Sequence, residues 1–188
     1  QIGKNSRQIA NQVVQQWERW FQGAFLQKNV SLPAFAASLH GLYGDRLIDF
    51  GLRDAAQEHY RQSVTRLRAM QDTFWIAYPL GNLGRLALQE GNLEQALTYI
   101  QESVDIVCAT NNRVGIADWV FRLGQTQLYL GDLTAAIANL QEAMQLYEEI
   151  GNLFGPPGAL SNLALVALEK GEMKTAVQRI DYSLQQYA

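Results

Sequence analysis

The sequence predicts an all-α chain, a right-handed α-solenoid of about four helix pairs behind one extra N-terminal helix. Three series of small residues predict it. Gly51, Gly91, Gly131 and Gly171 stand 40 residues apart, and Ala56, Ala96, Ala136 and Ala176 follow in the same register. Gly44, Gly84 and Gly124 lead them, with Ala164 in the fourth place. A period of this size is one supersecondary unit copied along the chain. Copies of this kind stack in a line, each touching only its neighbours, instead of closing round one centre.

The first element expected is an amphipathic helix over about residues 6–27, carrying Val13, Trp17, Trp20, Phe21, Ala24 and Phe25. It reads either as the second helix of a degenerate upstream unit or as an aromatic cap. Lys28 to Pro33 reads as a linker, which gives the organisation 1–33 (N-terminal helix and linker) and 34–188 (four repeats). The chain opens with Gln1 and has no signal-peptide pattern, so it reads as a segment of a longer protein.

The second copy shows what one repeat contains. Leu80, Leu83, Ala87 and Leu88 recur at helical spacing, Gly91 interrupts, and Leu93, Ala96, Leu97, Ile100, Val104 and Val107 resume the pattern. That is a helix, a tight turn and a second helix, each with one apolar stripe. Gly91 can end the first helix in the left-handed conformation at little steric cost. Asn92, Asp132 and Glu172 follow the turn, where Asn and Asp can accept from the free N–H groups of the next helix. The first copy has Leu52 and Arg53 there, so its turn is expected to differ in detail.

Applied to all copies, this reading places helices at about 35–50, 53–69, 76–90, 93–110, 115–130, 133–150, 157–170 and 173–187. Tyr78-Pro79 and Gly155-Pro156-Pro157-Gly158 fall at helix starts, where a missing N–H costs nothing. Gly84 and Gly124 fall mid-helix, where glycine costs roughly 1 kcal/mol relative to alanine. A close crossing explains their presence, with Ala96 and Ala136 as the small partners twelve residues on.

Composition narrows the function. Hydrophobic residues make up 48% and charged residues 18%, which leaves ample apolar surface for a continuous core. A net charge of −3 argues against a nucleic-acid surface. One cysteine, Cys108, excludes a disulfide framework and fits a cytoplasmic protein. No apolar run approaches the ~18 residues a membrane span needs. Enzymatic constellations are scarce. His40 takes the inward position occupied by Leu80, Val120 and Leu160 in the other copies, so it reads as a packed histidine, while His59 is expected to face solvent. Neither they nor Cys108 make a metal or nucleophile arrangement, so no catalytic residue, metal or cofactor is expected. Trp75 and Trp119, near first-helix starts, read as packing residues rather than as a stacking platform.

The repeat resembles the tetratricopeptide repeat. That family places a turn residue seven after the first-helix glycine, alanine twelve on, a large apolar residue sixteen on and a small residue nineteen on. Gly84 gives Gly91, Ala96, Ile100 and Ser103; Gly124 gives Gly131, Ala136, Leu140 and Ala143. Gly44 gives Gly51, Ala56, Tyr60 and Ser63; Ala164 gives Gly171, Ala176, Ile180 and Ser183. The family's helix-ending proline is replaced by Arg68, Cys108, Glu148 and Ala188, so the second helix is expected to run longer.

The resemblance implies that first helices line a concave groove through the face opposite their packing stripe. On that footing the groove residues are Tyr78, Asn82, Arg85 and Gln89, then Asp118, Arg122, Gln125 and Tyr129, then Asn162, Leu165 and Glu169. Ser38, Leu42, Asp45 and Asp49 are their counterparts in the first copy. Asn82 and Asn162 share one repeat position and resemble the asparagines by which kinesin-light-chain-like repeats hold an extended peptide backbone. An amide supplies both donor and acceptor. Arg85 and Arg122 suit a carboxylate in a bidentate fork. The family's five-residue carboxylate clamp is not reproduced.

At the level of whole-repeat texture, residues 34–188 are similar to the arrays of bacterial signal-transduction ATPases with numerous domains and their attached transcription regulators. The implied function is a non-catalytic scaffold that binds a protein or peptide as the sensor or partner-binding arm of a regulatory protein. A small-molecule sensor enclosing a metabolite in the groove is the alternative. The last helix carries Val177, Ile180, Tyr182, Leu184 and Tyr187 with no further helix after it, so a homodimer through the C-terminal repeat is also expected.

Overall fold

The computed structural model describes residues 32–73, 75–152 and 155–186, with side chains from Leu39 to Gln185 apart from positions 74, 153 and 154. The expected helix at 6–27, Ser38 as a side chain and Tyr187 lie outside the described residues. Among those described, the chain is all-α, with no strand. Its helices are α1 (Leu32–Asp49), α2 (Arg53–Ala69), α3 (Ala77–Gln89), α4 (Leu93–Ala109), α5 (Arg113–Leu130), α6 (Leu133–Glu149), α7 (Gly155–Glu169) and α8 (Met173–Gln186). Helix α1 starts at Leu32, so Leu32 and Pro33 of the expected linker are helical.

The chain forms two compact units, Gln1–Leu86 and Ala87–Ala188, and the division falls inside α3. In the first, α1 packs on α2 through Leu47, Ala55, Ala56, Tyr60, Val64 and Leu67, all buried. In the second, α4 packs on α5, α5 on α6, α6 on α7 and α7 on α8, and α5 also reaches α7. Leu128, Ala136, Leu140, Leu163 and Val166 make one apolar cluster there, flanked by Phe121, Leu133 and Ile137.

The turns follow the repeat. Gly51, Gly91, Gly131 and Gly171 have φ of 73°, 79°, 81° and 75°, a region open to glycine at little cost. After each, an N–H reaches back to the helix it leaves: Leu52 to Leu47, Asn92 to Ala87, Asp132 to Gln127, Glu172 to Ala167. The first turn thus keeps this backbone pattern despite Leu52, and only the cap side chain is absent.

Two sequence expectations need correction. Of the residues after the turn glycines, Asp132 caps its helix by accepting from the Ala135 N–H, whereas Asn92 makes no cap bond. The other turn of the repeat carries its own series of acceptors: Asp72, Asn112 and Asn152 each accept from the N–H three residues on, at 2.9, 3.1 and 3.2 Å, and Asn112 is the cap of α5. Left-handed residues precede them at the same period, namely Gln71, Asn111 and Gly151. The mid-helix glycines also have a different closest neighbour. A Cβ on Gly124 would stand 2.8 Å from Leu140 Cγ, and one on Gly44 2.6 Å from the Tyr60 ring. The glycine is therefore matched to the large residue sixteen positions on, which needs the space, more closely than to the alanine at twelve.

Candidate functional site

The residues expected to bind fall on both units, and each group is described by itself. In the first unit, α3 carries Tyr78, Asn82 and Arg85 one helical turn apart. Asp45 of α1 accepts from the Tyr60 hydroxyl of α2 at 2.5 Å and from the Tyr78 hydroxyl. Burial, and then the bond to Asp45, pushes both phenols well above the ordinary tyrosine range. They are neutral donors that fix the carboxylate. Asn82 is buried and spends part of its amide inside the helix, donating to the Tyr78 carbonyl at 3.1 Å. Its oxygen accepts from Arg85 Nε at 3.1 Å, which aims the guanidinium. Among the described residues, no carboxylate pairs with half-buried Arg85, so its two terminal nitrogens remain to donate.

In the second unit, three side chains form a polar line across α5 and α7. Arg122 donates to the Gln125 side-chain oxygen at 2.9 Å, Gln125 to the Asn162 oxygen at 3.3 Å, and Asn162 to the Gly158 carbonyl at 2.9 Å. The Arg122 guanidinium lies over the Phe121 ring, 5.3 Å from its centre. Asp118 repeats the phenol–carboxylate theme, accepting from Tyr147 of α6 at 2.8 Å. Burial first, and Asp118 second, raise that phenol above its ordinary range. Gly155 makes room for the Tyr147 ring, since a Cβ there would collide with it. Gln89 and Tyr129 are exposed.

Asn82 and Asn162 are thus equivalent in bonding as well as in repeat position. Each donates to the carbonyl four residues back and accepts from a neighbouring side chain. One N–H and one acceptor lone pair are left on each amide. Sequence reasoning expected the amides but not this anchoring, nor the tyrosines that hold Asp45 and Asp118.

The histidines of the first unit form a pair. His40 is buried as expected, but His59 does not simply face solvent: its Nδ1 lies 3.0 Å from His40 Nδ1, and the rings stack at 5.3 Å. Arg66 donates to His40 Nε2 at 2.6 Å, so that nitrogen is an acceptor and the His40 proton sits on Nδ1, donated to His59. A metal-binding histidine instead donates its outer N–H. Among the described residues, no three His, Cys, Asp or Glu side chains gather as a metal site. Burial, then Glu142 and Asp105, raise the Cys108 thiol, the opposite of what a nucleophile needs. Trp119 is buried, whereas Trp75 is 43% exposed. No helix among the described residues is long and apolar enough to cross a membrane.

A family model for the tetratricopeptide repeat matches residues 72–149, the span of α3 to α6. No curated protein matches the chain in sequence. Solved structures share its fold. BtubC (BKLC) from P. vanneervenii is 18% identical with a TM-score of 0.74, covering 98% of this chain and 72% of its own. Rap protein complexed with Competence and Sporulation Factor is 15% identical with a TM-score of 0.72, over 84% of this chain and 44% of its own. The nearly identical TPR-like repeats of a Podosopora anserina putative kinesin light chain are 14% identical with a TM-score of 0.62, over 98% and 92%. The chain therefore spans less than half of Rap. Residues 72–149 are tetratricopeptide repeats, and the chain has the tetratricopeptide-like α-solenoid fold.

Proposed function

We propose that the chain is a non-catalytic scaffold that binds a protein or peptide, acting in the cytoplasm as the sensor or partner-binding arm of a larger bacterial regulatory protein. One observation carries this reading: first helices that are otherwise apolar keep an anchored polar face. That face is Tyr78, Asn82 and Arg85 in the first unit, and Arg122, Gln125 and Asn162 in the second. Arg85, aimed by Asn82 and lacking an acid partner among the described residues, suits an acidic side chain or a terminal carboxylate. The asparagine amides keep a donor and an acceptor, which match the repeating N–H and C=O of an extended strand. Rap shares the fold and was solved in complex with Competence and Sporulation Factor, which supports a binding role for the fold.

The test is a display selection with a library of random linear peptides, run on the wild-type chain and on two variants, Asn82→Ala/Arg85→Ala and Arg122→Ala/Asn162→Ala. Enrichment of acidic peptides that is lost in at least one variant, with helicity retained, is the expected result. Peptides binding both variants as tightly as wild type would place the functional surface elsewhere. Failure to enrich any peptide, with a metabolite raising the melting temperature instead, would favour the small-molecule alternative.

A further inference from the structure

Position 40 departs from its own repeat. Its counterparts Leu80, Val120 and Leu160 are aliphatic and buried, and His40 is buried as they are. Packing alone therefore does not call for a histidine here. A buried imidazole needs partners for its nitrogens. His40 has one on each: Nδ1 lies 3.0 Å from His59 Nδ1 of α2, and Nε2 lies 2.6 Å from the Arg66 guanidinium. The two histidine rings stack with centres 5.3 Å apart. Helices α1 and α2 are thus joined by a polar contact beside the apolar one made by Leu47, Ala56, Val64 and Leu67.

The polar contact holds only while both rings are neutral. With the His40 proton on Nδ1, His59 Nδ1 is the acceptor and its own proton sits on Nε2. A proton added to His59 Nδ1 would face the His40 N–H at 3.0 Å, donor against donor. One added to His40 must enter at Nε2, where Arg66 already donates. Either step also sets a new positive charge in a cluster that contains the Arg66 guanidinium. Tyr43 of α1 stands edge-on to His59, ring centres 4.7 Å apart, and its buried hydroxyl bonds to neither ring. From α3, the Tyr78 ring lies against Gly41, next to His40 in the chain. Both phenols are neutral in acid. The Asp45 carboxylate of α1 is engaged by the Tyr60 and Tyr78 hydroxyls.

We propose that the His40–His59 pair is an acid-sensitive clasp between α1 and α2, in which uptake of a proton by either ring breaks the contact and loosens the first unit. This inference stands apart from the peptide-binding reading. Histidines released from the pair take up protons near about pH 6.5, whereas the closed pair has no place for one. The open state therefore binds more protons below that pH, and the closed state loses stability as pH falls. The opening equilibrium should rise by up to about tenfold per pH unit for each ring. The chain has two histidines, so a sample isotope-labelled at histidine gives two ring signals in nuclear magnetic resonance. At neutral pH these should show opposite tautomers, Nδ1–H for His40 and Nε2–H for His59. Between about pH 6.5 and 5, amide hydrogen exchange, corrected for its intrinsic pH dependence, should accelerate in α1 and α2 by about tenfold or more per unit, and not in α5 to α7. His40→Leu, which installs the residue of the second and fourth copies, should abolish the acceleration and let His59 titrate near about pH 6.5. An acid response that His40→Leu leaves unchanged would overturn the proposal. So would wild-type rings that titrate near about pH 6.5 while α1 and α2 keep their protection, a result that decides the matter even where the variant fails to fold.

Discussion

Gly124→Ala is the sharpest test of the packing. In an isolated helix this substitution stabilises, because alanine is favoured over glycine by roughly 1 kcal/mol. Here the added Cβ lands 2.8 Å from Leu140 Cγ, and 3.1 Å from both Leu140 Cδ2 and the Leu140 backbone nitrogen. Ordinary carbon contacts lie at about 3.5–4.0 Å. Leu140 cannot simply swing aside, since it is fully buried within a cluster that also holds Ala136, Leu163 and Val166. Nor can a backbone atom rotate away, so α5 and α6 must separate. Overpacking of this kind costs about 1–3 kcal/mol, and a crowded backbone atom puts the cost in the upper half of that range. After the gain in propensity, a net loss of about 1–2 kcal/mol remains. At about 2–4 °C per kcal/mol, thermal unfolding should shift down by roughly 2–8 °C. Leu140→Ala provides the control. In that background Gly124→Ala should cost less, because the contacts with Cγ and Cδ2 are gone and only the one with the backbone nitrogen is left, and a double-mutant cycle reports the difference. A single Gly124→Ala variant melting at or above the wild-type temperature would refute the close approach.

Two further outcomes follow from the same structure. Asp132→Ala and Asn112→Ala should each cost about 1 kcal/mol of stability by removing a helix cap, whereas Asn92→Ala should cost almost nothing; equal urea midpoints for all three variants would contradict the cap assignment. Stability should fall as pH rises above about 10, because the unfolded tyrosines ionise there while Tyr60 and Tyr147 keep their protons in the folded chain. Below that pH their contribution is fully present. The slope is roughly 1.4 kcal/mol per pH unit for each of these two buried phenols, and Tyr60→Phe or Tyr147→Phe should flatten it in urea titrations at about pH 9 to 11.5; an unchanged slope would show that the phenols ionise freely when folded.

The period carried the fold. Once four glycines and four alanines share one register, helix number, helix type and turn positions follow, and α2 was placed at its observed limits. What stayed illegible was which of several chemically suitable residues does a given job. Asn92 and Asn112 are both asparagines before a helix, yet only Asn112 caps. Its neighbour Asn111 is left-handed, as are Gln71 and Gly151, and the series Asp72, Asn112 and Asn152 was readable at the same 40-residue period. Gly124 was correctly read as a close-approach residue, but only coordinates show that Leu140 takes the space. Candidate binding residues were legible as polar positions on apolar helices. Their anchoring was not, because Asn82 to Arg85 is local whereas Tyr60 to Asp45 and Gln125 to Asn162 join separate helices.

The central claim is that anchored polar side chains on the first helices form binding surfaces, and Arg85 tests it most directly. A fluorescently labelled acidic peptide recovered by display on the wild-type chain should be titrated against wild type, Arg85→Lys and Arg85→Ala at low and high salt. The account predicts that alanine weakens binding by about 1.5–3 kcal/mol, roughly tenfold or more, as expected for a charge-assisted bond. Lysine should recover only part, since it lacks the fork held by Asn82, and added salt should narrow the differences. Equal affinity for all three proteins at both salt concentrations would contradict it.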